Sequence, residues 1–546
     1  MRVHCLGVGS IGSLVAASLA SSANPPLVRL ILRKKALAAA LAEVTPTSSP
    51  PGPSSSATLQ SVPHVSLVIE RDGLARRTSG LEVELLPSPS DLAEQTRLLP
   101  DGSPGGSARA IKSSTIETAR LLRNDPISTL IVTTKATSMI PAIQPLLSRL
   151  SSNSTIVLCH NGMGVLETLL ERFWPTDDTA PGQTSTYGNM GGRPNFICAL
   201  TTHGMWRKGA NHFVHAGMGD FKFGVLPNRA AQAVIAEAVG SAQARDNPVL
   251  NPKSVVKPTL EHIPVTNETM SLRQTINSLL SSQLRATWLP FQTLQIAQLQ
   301  KLAVNASLNG LTALMQVHNG ALASSPRSRQ LVSTIARECA DVFAAHLAYE
   351  DGSWHPENPH NERAAMLPDE HVLSHKSLTD YTMKVVRNSN RNVSSTLQDI
   401  LSTTIDLDLL DTTSSSNSSS ILTKPSSFSR TEVEYIHGYI QTLANKYRVR
   451  VPTVSTIGQL VLLKEELIKN GSVDALVNER LSKRAQGQDQ QKSVAYDTTT
   501  ASEKEGGTVA RAQRRKKRYA RAEKHLSTRA QRFERDRRIY DEKRAA

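Results

Sequence analysis

Hydrophobic residues in the first half of the chain fall in short unbroken runs bounded by Gly, Pro, Ser or charge, the pattern of buried strands. Such runs occupy Arg2–Leu6, Leu27–Leu32, 65–70, 81–86, 129–134, Thr155–Cys159, 196–202 and 212–224. Between the first two lies a small-residue helix over 11–20, and a further helix follows Lys135 to about Leu150. The strands at 65–70 and 81–86 read as a hairpin. From about Ser271 the period changes to that of helices, over 279–304, 327–347, 378–386, a segment opening at Ser429-Arg430-Thr431-Glu432, and 452–469. Thr431 or Ser429 is expected to cap that fourth helix, with acids in its first turn.

The runs are separated by low-complexity stretches. Residues 45–58, 99–108, 177–194 and 403–427 are rich in Pro, Ser, Gly or Thr and read as loop insertions. Residues 243–264 are polar and Pro-interrupted, a linker pattern. A chain of 546 residues suggests two or three domains. The boundaries drawn are 1–240, 271–470 with its insert at 403–427, and a polar to basic tail, 471–546, disordered or a lone helix.

Composition alters this picture little. Aromatic residues are only 4% of the chain, a deficit that sits in the insertions. The formal charge is +15, and residues 511–546 carry 15 Lys/Arg against 5 Asp/Glu, so the body is near neutral. Cys5, Cys159, Cys198 and Cys339 are scattered, which suits a reducing compartment rather than a disulfide frame or a zinc site. No apolar run reaches membrane-spanning length without Gly or charge. A strand beginning at Val3 leaves no room for a removable presequence. His355, His360, His371 and His375 match no standard metal spacing, and no metal is expected.

Two stretches carry candidate chemistry. Gly7-Val8-Gly9-Ser10-Ile11-Gly12 sits between the first strand and the first helix, the order a dinucleotide turn requires. Gly7 permits the turn, Gly9 lets backbone approach a pyrophosphate, Gly12 packs helix on strand, and the helix N-terminus offers its amides. The second strand ends in Arg33-Lys34-Lys35, where an acid would suit NAD and positive charge suits the 2′-phosphate of NADP. The second stretch is Lys301-Leu302-Ala303-Val304-Asn305-Ala306-Ser307-Leu308-Asn309. On a helix, Lys301, Asn305 and Asn309 make one polar stripe in an otherwise apolar or small surface. Such a buried stripe is either a structural network or the lining of a polar ligand cavity. Asn161, in the Gly-rich loop after Thr155–Cys159, is either a turn former or a ligand contact at a strand's carboxyl end.

These motifs, taken with Thr133-Thr134-Lys135-Ala136, His160-Asn161-Gly162-Met163-Gly164, Thr201-Thr202-His203-Gly204, Ser394-Ser395 to Gln398-Asp399, and Thr431-Glu432 with Tyr435 and Gly438, resemble the ketopantoate reductase family in its fungal type, with insertions and a basic C-terminal tail. The resemblance covers most of residues 1–470. It implies an α/β protein, with an N-terminal Rossmann-type NADP-binding domain followed by an all-α C-terminal domain. It also implies NADPH-dependent reduction of 2-dehydropantoate to pantoate, on the way to pantothenate and coenzyme A. By that resemblance Lys301 is the general acid and Glu432 orients the substrate. Asn161, Asn305, Asn309 and Ser395 bind substrate, and Asn161 also lies near the nicotinamide. Gly7, Val8, Gly9, Ser10, Ile11, Gly12, Arg33 and Lys135 hold NADPH/NADP+.

Two other readings remain. One is a reductase of another 2-keto acid, because apolar pockets discriminate single methylenes weakly. The other is a reductase fold reused as an RNA- or mitochondrial-ribosome-associated factor, since Arg514-Arg515-Lys516-Lys517-Arg518 could engage RNA or another polyanion. The expected partner is otherwise a small 2-keto acid, with no membrane, in a monomer or homodimer. The compartment is expected to be the cytoplasm, with the mitochondrion as alternative.

Overall fold

A computed structural model of the chain describes residues 1–32, 64–86, 125–175, 192–240, 243–357, 366–404 and 430–470. The insertions at 45–58, 99–108 and 403–427 lie wholly or largely outside these ranges, as do Arg33, His360, Ser429 and the tail 471–546. Residues Met1–Asn470 form one compact unit, to which everything below refers.

An eleven-stranded sheet organises the N-terminal half. Its strands are β1 (Arg2–Leu6), β2 (Leu27–Leu32), β3 (His64–Arg71), β4 (Leu74–Leu85), β5 (Thr129–Val132), β6 (Thr155–Cys159), β7 (Asn195–Thr201), β8 (Gly204–Arg207), β9 (His212–Gly217), β10 (Phe221–Leu226) and β11 (Ala286–Trp288). They run in the order β11-β10-β7-β6-β5-β1-β2-β4-β3-β9-β8. From β7 to β4 through β1 every pairing is parallel. β1 lies between β2 and β5, so the chain crosses from one side of the sheet to the other there. Ligands of open α/β sheets bind beyond the carboxyl ends of strands at such a reversal.

Both faces of the parallel strands are buried, which is why these runs lack polar alternation. Val3, Cys5, Leu30 and Val157 face one core, shared with Leu14, Val15 and Leu19 of α1 (Ser10–Ala20). Leu6, Ile31, Leu130 and Ile156 face another, with α2 (Ala136–Ile143) and α3 (Val165–Phe173). Two helices complete the sheet half, α4 (Arg229–Val239) and α5 (Asn267–Leu280).

The remaining helices are α6 (Phe291–Met315), α7 (Pro326–Glu350), α8 (His375–Asn388), α9 (Ser395–Thr404), α10 (Tyr439–Lys446) and α11 (Pro452–Lys469). Their apolar faces meet around Leu302, Ala306, Phe343, Ile440 and Val454.

Several elements differ from the sequence reading. The helix after Lys135 stops at Ile143, and Pro145 continues it as a 3₁₀ segment, Gln144–Arg149. The stretch 243–264 is no free linker, because Val249 and Ile263 are buried in the sheet core. The run 279–304 is broken by the edge strand β11 before Pro290 opens α6. The sheet half therefore extends to Trp288. α5 lies on it, with Thr275 hydrogen bonded to Thr129 (2.8 Å) and Ser271 to Thr155 (2.9 Å).

Midway along the sheet, facing the second core, sits a buried ionic network. Arg29 is 1% exposed and donates to Glu82 at 2.9 Å, while Arg149 pairs with Glu84. His4 lies beside them; burial and the Arg149, Arg29 and Arg2 guanidiniums hold its pKa down to about 3, so it stays neutral. Removing one member of such a network leaves an uncompensated buried charge. Arg29→Ala is expected to lower the unfolding free energy by about 3–5 kcal/mol in urea melts. A loss below about 1 kcal/mol, the level of an exposed pair, would contradict this account.

Candidate active site

The glycine turn follows β1 at the reversal of strand order. Thr133, at the end of β5, donates its hydroxyl to the Gly7 carbonyl and braces the turn. A Cβ on Gly12 would stand 2.0 Å from the Gly7 oxygen and 2.4 Å from the Thr133 hydroxyl, so only glycine allows this contact of helix and strand. A Cβ on Gly9 would meet nothing within 4 Å. No side chain caps the first amides of α1, and its first turn holds no acid. An open approach to uncapped amides at a helix N-terminus fits the pyrophosphate of a dinucleotide. Arg207 of β8, which the sequence reading missed, donates to the Val8 carbonyl at 2.9 Å and fixes the turn from its other side.

Lys301 projects from α6 toward the carboxyl ends of β6 and β7. Its Nζ donates to Asn161 Oδ1 at 2.9 Å and to the Thr201 carbonyl at 2.9 Å. Asn161 Nδ2 in turn donates to Glu432 Oε2 at 3.1 Å. The other oxygen of Glu432 accepts the backbone N–H of Ala136, the first residue of α2, at 3.0 Å. An ammonium, an amide, a carboxylate and a helix N-terminus thus form one relay drawn from both halves of the molecule. Burial pushes the Lys301 pKa below the usual lysine value, while Cys159 and the Glu432 carboxylate act against that shift. Burial likewise lowers His160, which lies beside the relay and hydrogen bonds the Asn161 carbonyl at 2.9 Å.

The polar stripe on α6 falls on one helix face, as its spacing implies, and is only partly open. From Lys301 to Gly310 only Lys301 and Asn305 keep partial exposure. Asn309 is buried and donates to Ser395 at 3.3 Å, so these two members meet each other. The loop 160–164 is held by the helical half. Met163 N–H donates to the Tyr435 carbonyl at 2.9 Å. Gly162 has φ +80°, and a Cβ there would stand 2.6 Å from the same carbonyl. Tyr435 lies in a single π-helical turn, Glu434–Gly438, which precedes α10.

Lys135 lies at the strand end as expected but is already paired. Its Nζ is 2.6 Å from Asp399 on α9 and 3.3 Å from the Arg430 carbonyl. Burial raises the Asp399 carboxyl to about 6 despite that ammonium. Arg33 lies outside the described residues. Thr431 does not cap the following helix. Its hydroxyl donates to Glu465 at 2.6 Å instead. The Thr201 carbonyl and the Ala136 N–H were invisible to sequence reasoning, because backbone groups carry no residue identity. Glu465 had a signal: an acid at helical spacing on the apolar face of α11 made by Val454, Ile457, Val461 and Ile468.

His203, from the Thr-Thr-His-Gly segment, serves the fold. It hydrogen bonds His215 Nε2 at 3.0 Å, the Leu284 carbonyl at 3.0 Å and the Gly219 N–H at 3.1 Å. Arg71 donates to His215 Nδ1. Burial and Arg71 hold His215 down at about 4. His355 and His371 accept local backbone N–H groups, and His375 hydrogen bonds Ser333 of α7 at 2.9 Å. Among the described residues no group of three His, Cys, Asp or Glu could hold a metal, and no helix is long and apolar enough to cross a membrane.

Two family models match this chain: ketopantoate reductase PanE/ApbA over residues 77–228, and ketopantoate reductase PanE/ApbA C terminal over residues 293–404. A probable 2-dehydropantoate 2-reductase of Schizosaccharomyces pombe is 28% identical over 277 residues, covering 50% of this chain and 63% of that protein, under two thirds of its length. The 2-dehydropantoate 2-reductase of Saccharomyces cerevisiae is 25% identical over 421 residues, 73% of this chain and 92% of its own. Among solved structures, a ternary complex of D-mandelate dehydrogenase with NADH and anilino(oxo)acetate superposes with a TM-score of 0.51 at 16% identity, over 86% of this chain and 99% of that one. That likeness concerns the fold alone.

The buried histidines make stability depend on pH in a defined direction. His215 and His437, the latter lowered by burial, titrate near 4 when folded and near 6.5 when unfolded. Between those values the unfolded chain binds more protons, so acid favours unfolding. Their contribution is complete above about pH 6.5 and is lost as pH falls toward 4. NMR titration is expected to find both rings neutral down to about pH 4; protonation near 6.5 would remove this source of acid sensitivity.

Proposed function

Because this chain belongs to the ketopantoate reductase family, we propose that it reduces 2-dehydropantoate to pantoate with NADPH, in the synthesis of pantothenate and coenzyme A. The observation that carries the reading is the Lys301 amine, held by Asn161 and the Thr201 carbonyl beyond the ends of the parallel strands. The bound nicotinamide would supply a hydride to the keto carbon.

Lys301 is then the acid. As the carbonyl oxygen gains negative charge, the ammonium stabilises it by a hydrogen bond and passes one proton to it. The keto group becomes a hydroxyl, and the amine regains its proton from solvent. Desolvation disfavours the charged lysine, so a nearby carboxylate matters. Glu432 reaches it through Asn161 and would also receive the new hydroxyl. Asn305, Asn309 and Ser395 would bind the substrate's remaining polar atoms, and Asn161 would border the nicotinamide. Gly7–Gly12 would hold the pyrophosphate. Arg33 and Lys135 would take the 2′-phosphate, for which Lys135 must share or release Asp399. The four cysteines are unpaired and buried, which supports a reducing compartment, taken here as the cytoplasm.

Purified protein is expected to oxidise NADPH in the presence of 2-dehydropantoate. A small panel of 2-keto acids, followed at 340 nm (the nicotinamide band), separates this substrate from its relatives. Lys301→Ala should cut turnover by a factor on the order of 10² or more through loss of acid catalysis. Turnover like that of the wild type in this variant removes the assignment.

A further inference from the structure

Glu432 holds its place through a second carboxylate. Glu465 of α11 is 8% exposed, and a buried carboxylate is costly unless hydrogen bonded. One of its oxygens accepts both the Thr431 N–H, at 3.2 Å, and the Thr431 hydroxyl, at 2.6 Å. Arg430 is exposed and Thr431 is 2% exposed, so the chain passes into the interior between these two residues. Directly beyond it, the Glu432 carbonyl accepts the N–H groups of Tyr435 and Ile436 at 3.0 and 3.1 Å and starts the π-helical turn.

The residue before Glu465 makes a different anchor. Lys464 Nζ donates to the carbonyls of Ala313 and Leu314 at 2.7 and 3.2 Å, at the C-terminal end of α6. A cation there satisfies carbonyls that the helix leaves open. Adjacent residues of α11 are therefore tied to the helix that carries Lys301 and to the residue that precedes Glu432. α11 thus ties the C-terminal end of α6 to the residue that precedes Glu432.

We propose that Glu465 is a positioning residue of the active site. By clasping Thr431 it fixes the backbone from which Glu432 reaches Asn161 and, through Asn161, Lys301. The inference rests on the reductase reading above. It adds a residue that touches neither substrate nor cofactor and acts through Thr431 and Glu432. Charge is not what the clasp needs; an acceptor oxygen at that point suffices.

The test uses the full chain with Glu465→Ala, Glu465→Gln and Thr431→Val. Glu465→Ala is expected to lower kcat at least about tenfold, since small misplacement of a catalytic group is costly. Lys135, assigned above to the dinucleotide, bonds the Arg430 carbonyl beside the clasp, so NADPH affinity is read by fluorescence alongside kcat and rescue by Glu465→Gln is the deciding readout. Glu465→Gln keeps the acceptor and should restore kcat to within about threefold of wild type. Equal loss in the Ala and Gln variants, or wild-type kcat in Glu465→Ala, overturns the proposal. If Glu465→Ala does not fold, Thr431→Val decides, and unchanged kcat there counts against the clasp. Crystal structures of Glu465→Gln and of Glu465→Ala, or of Thr431→Val if the alanine variant does not fold, separate this from the enzymatic reading. If wild type turns over no 2-keto acid, the function falls; if Glu432 still meets Asn161 without the clasp, the positioning role falls.

Discussion

Keeping a lysine charged in a desolvated cleft is the constraint on which the rest depends. Burial works against the Lys301 ammonium, and the protein answers with an amide, a carbonyl and a carboxylate one step removed. A carboxylate in direct contact would stabilise the charge more strongly, but it would hold the proton back from a reacting oxygen. The Asn161 amide passes on the influence of Glu432 while leaving the amine able to donate elsewhere. Each oxygen of Glu432 has a donor, so the carboxylate is not left unsatisfied in the interior.

That arrangement explains why the two halves of the molecule meet where they do. Lys301 comes from α6 and Glu432 from the bend just before the π-helical turn, whereas Asn161, Thr201 and Ala136 come from strand ends and the start of α2. None of these groups works alone. The sheet half supplies the amide and the backbone dipoles, and the helical half supplies the charges. The Lys135–Asp399 pair and the Met163–Tyr435 bond run parallel to the relay and hold the same junction.

Much of this was legible in the residues. The glycine turn, the strand runs and the stripe Lys301, Asn305, Asn309 stand where pattern places them. Thr201 and Ala136 stand in the quoted motifs, but the roles of their backbone groups were not legible, because a carbonyl and an amide look alike at every position. The strand β11 escaped because three residues make no period. Residues 243–264 read as a linker because their polar surface outnumbers Val249 and Ile263, which nevertheless reach the core. Thr431 was read as a local cap because sequence reasoning favours near partners, whereas Glu465 lies 34 positions away.

The fit of Gly162 against the Tyr435 carbonyl carries one more implication. The junction is made by main chain on both sides, so position 162 admits no side chain, while position 435 contributes an oxygen that every residue possesses. Mutational drift should then be strongly asymmetric across the contact. One partner is frozen, and the other is free to change its ring as long as the wide π-helical coil beneath it survives.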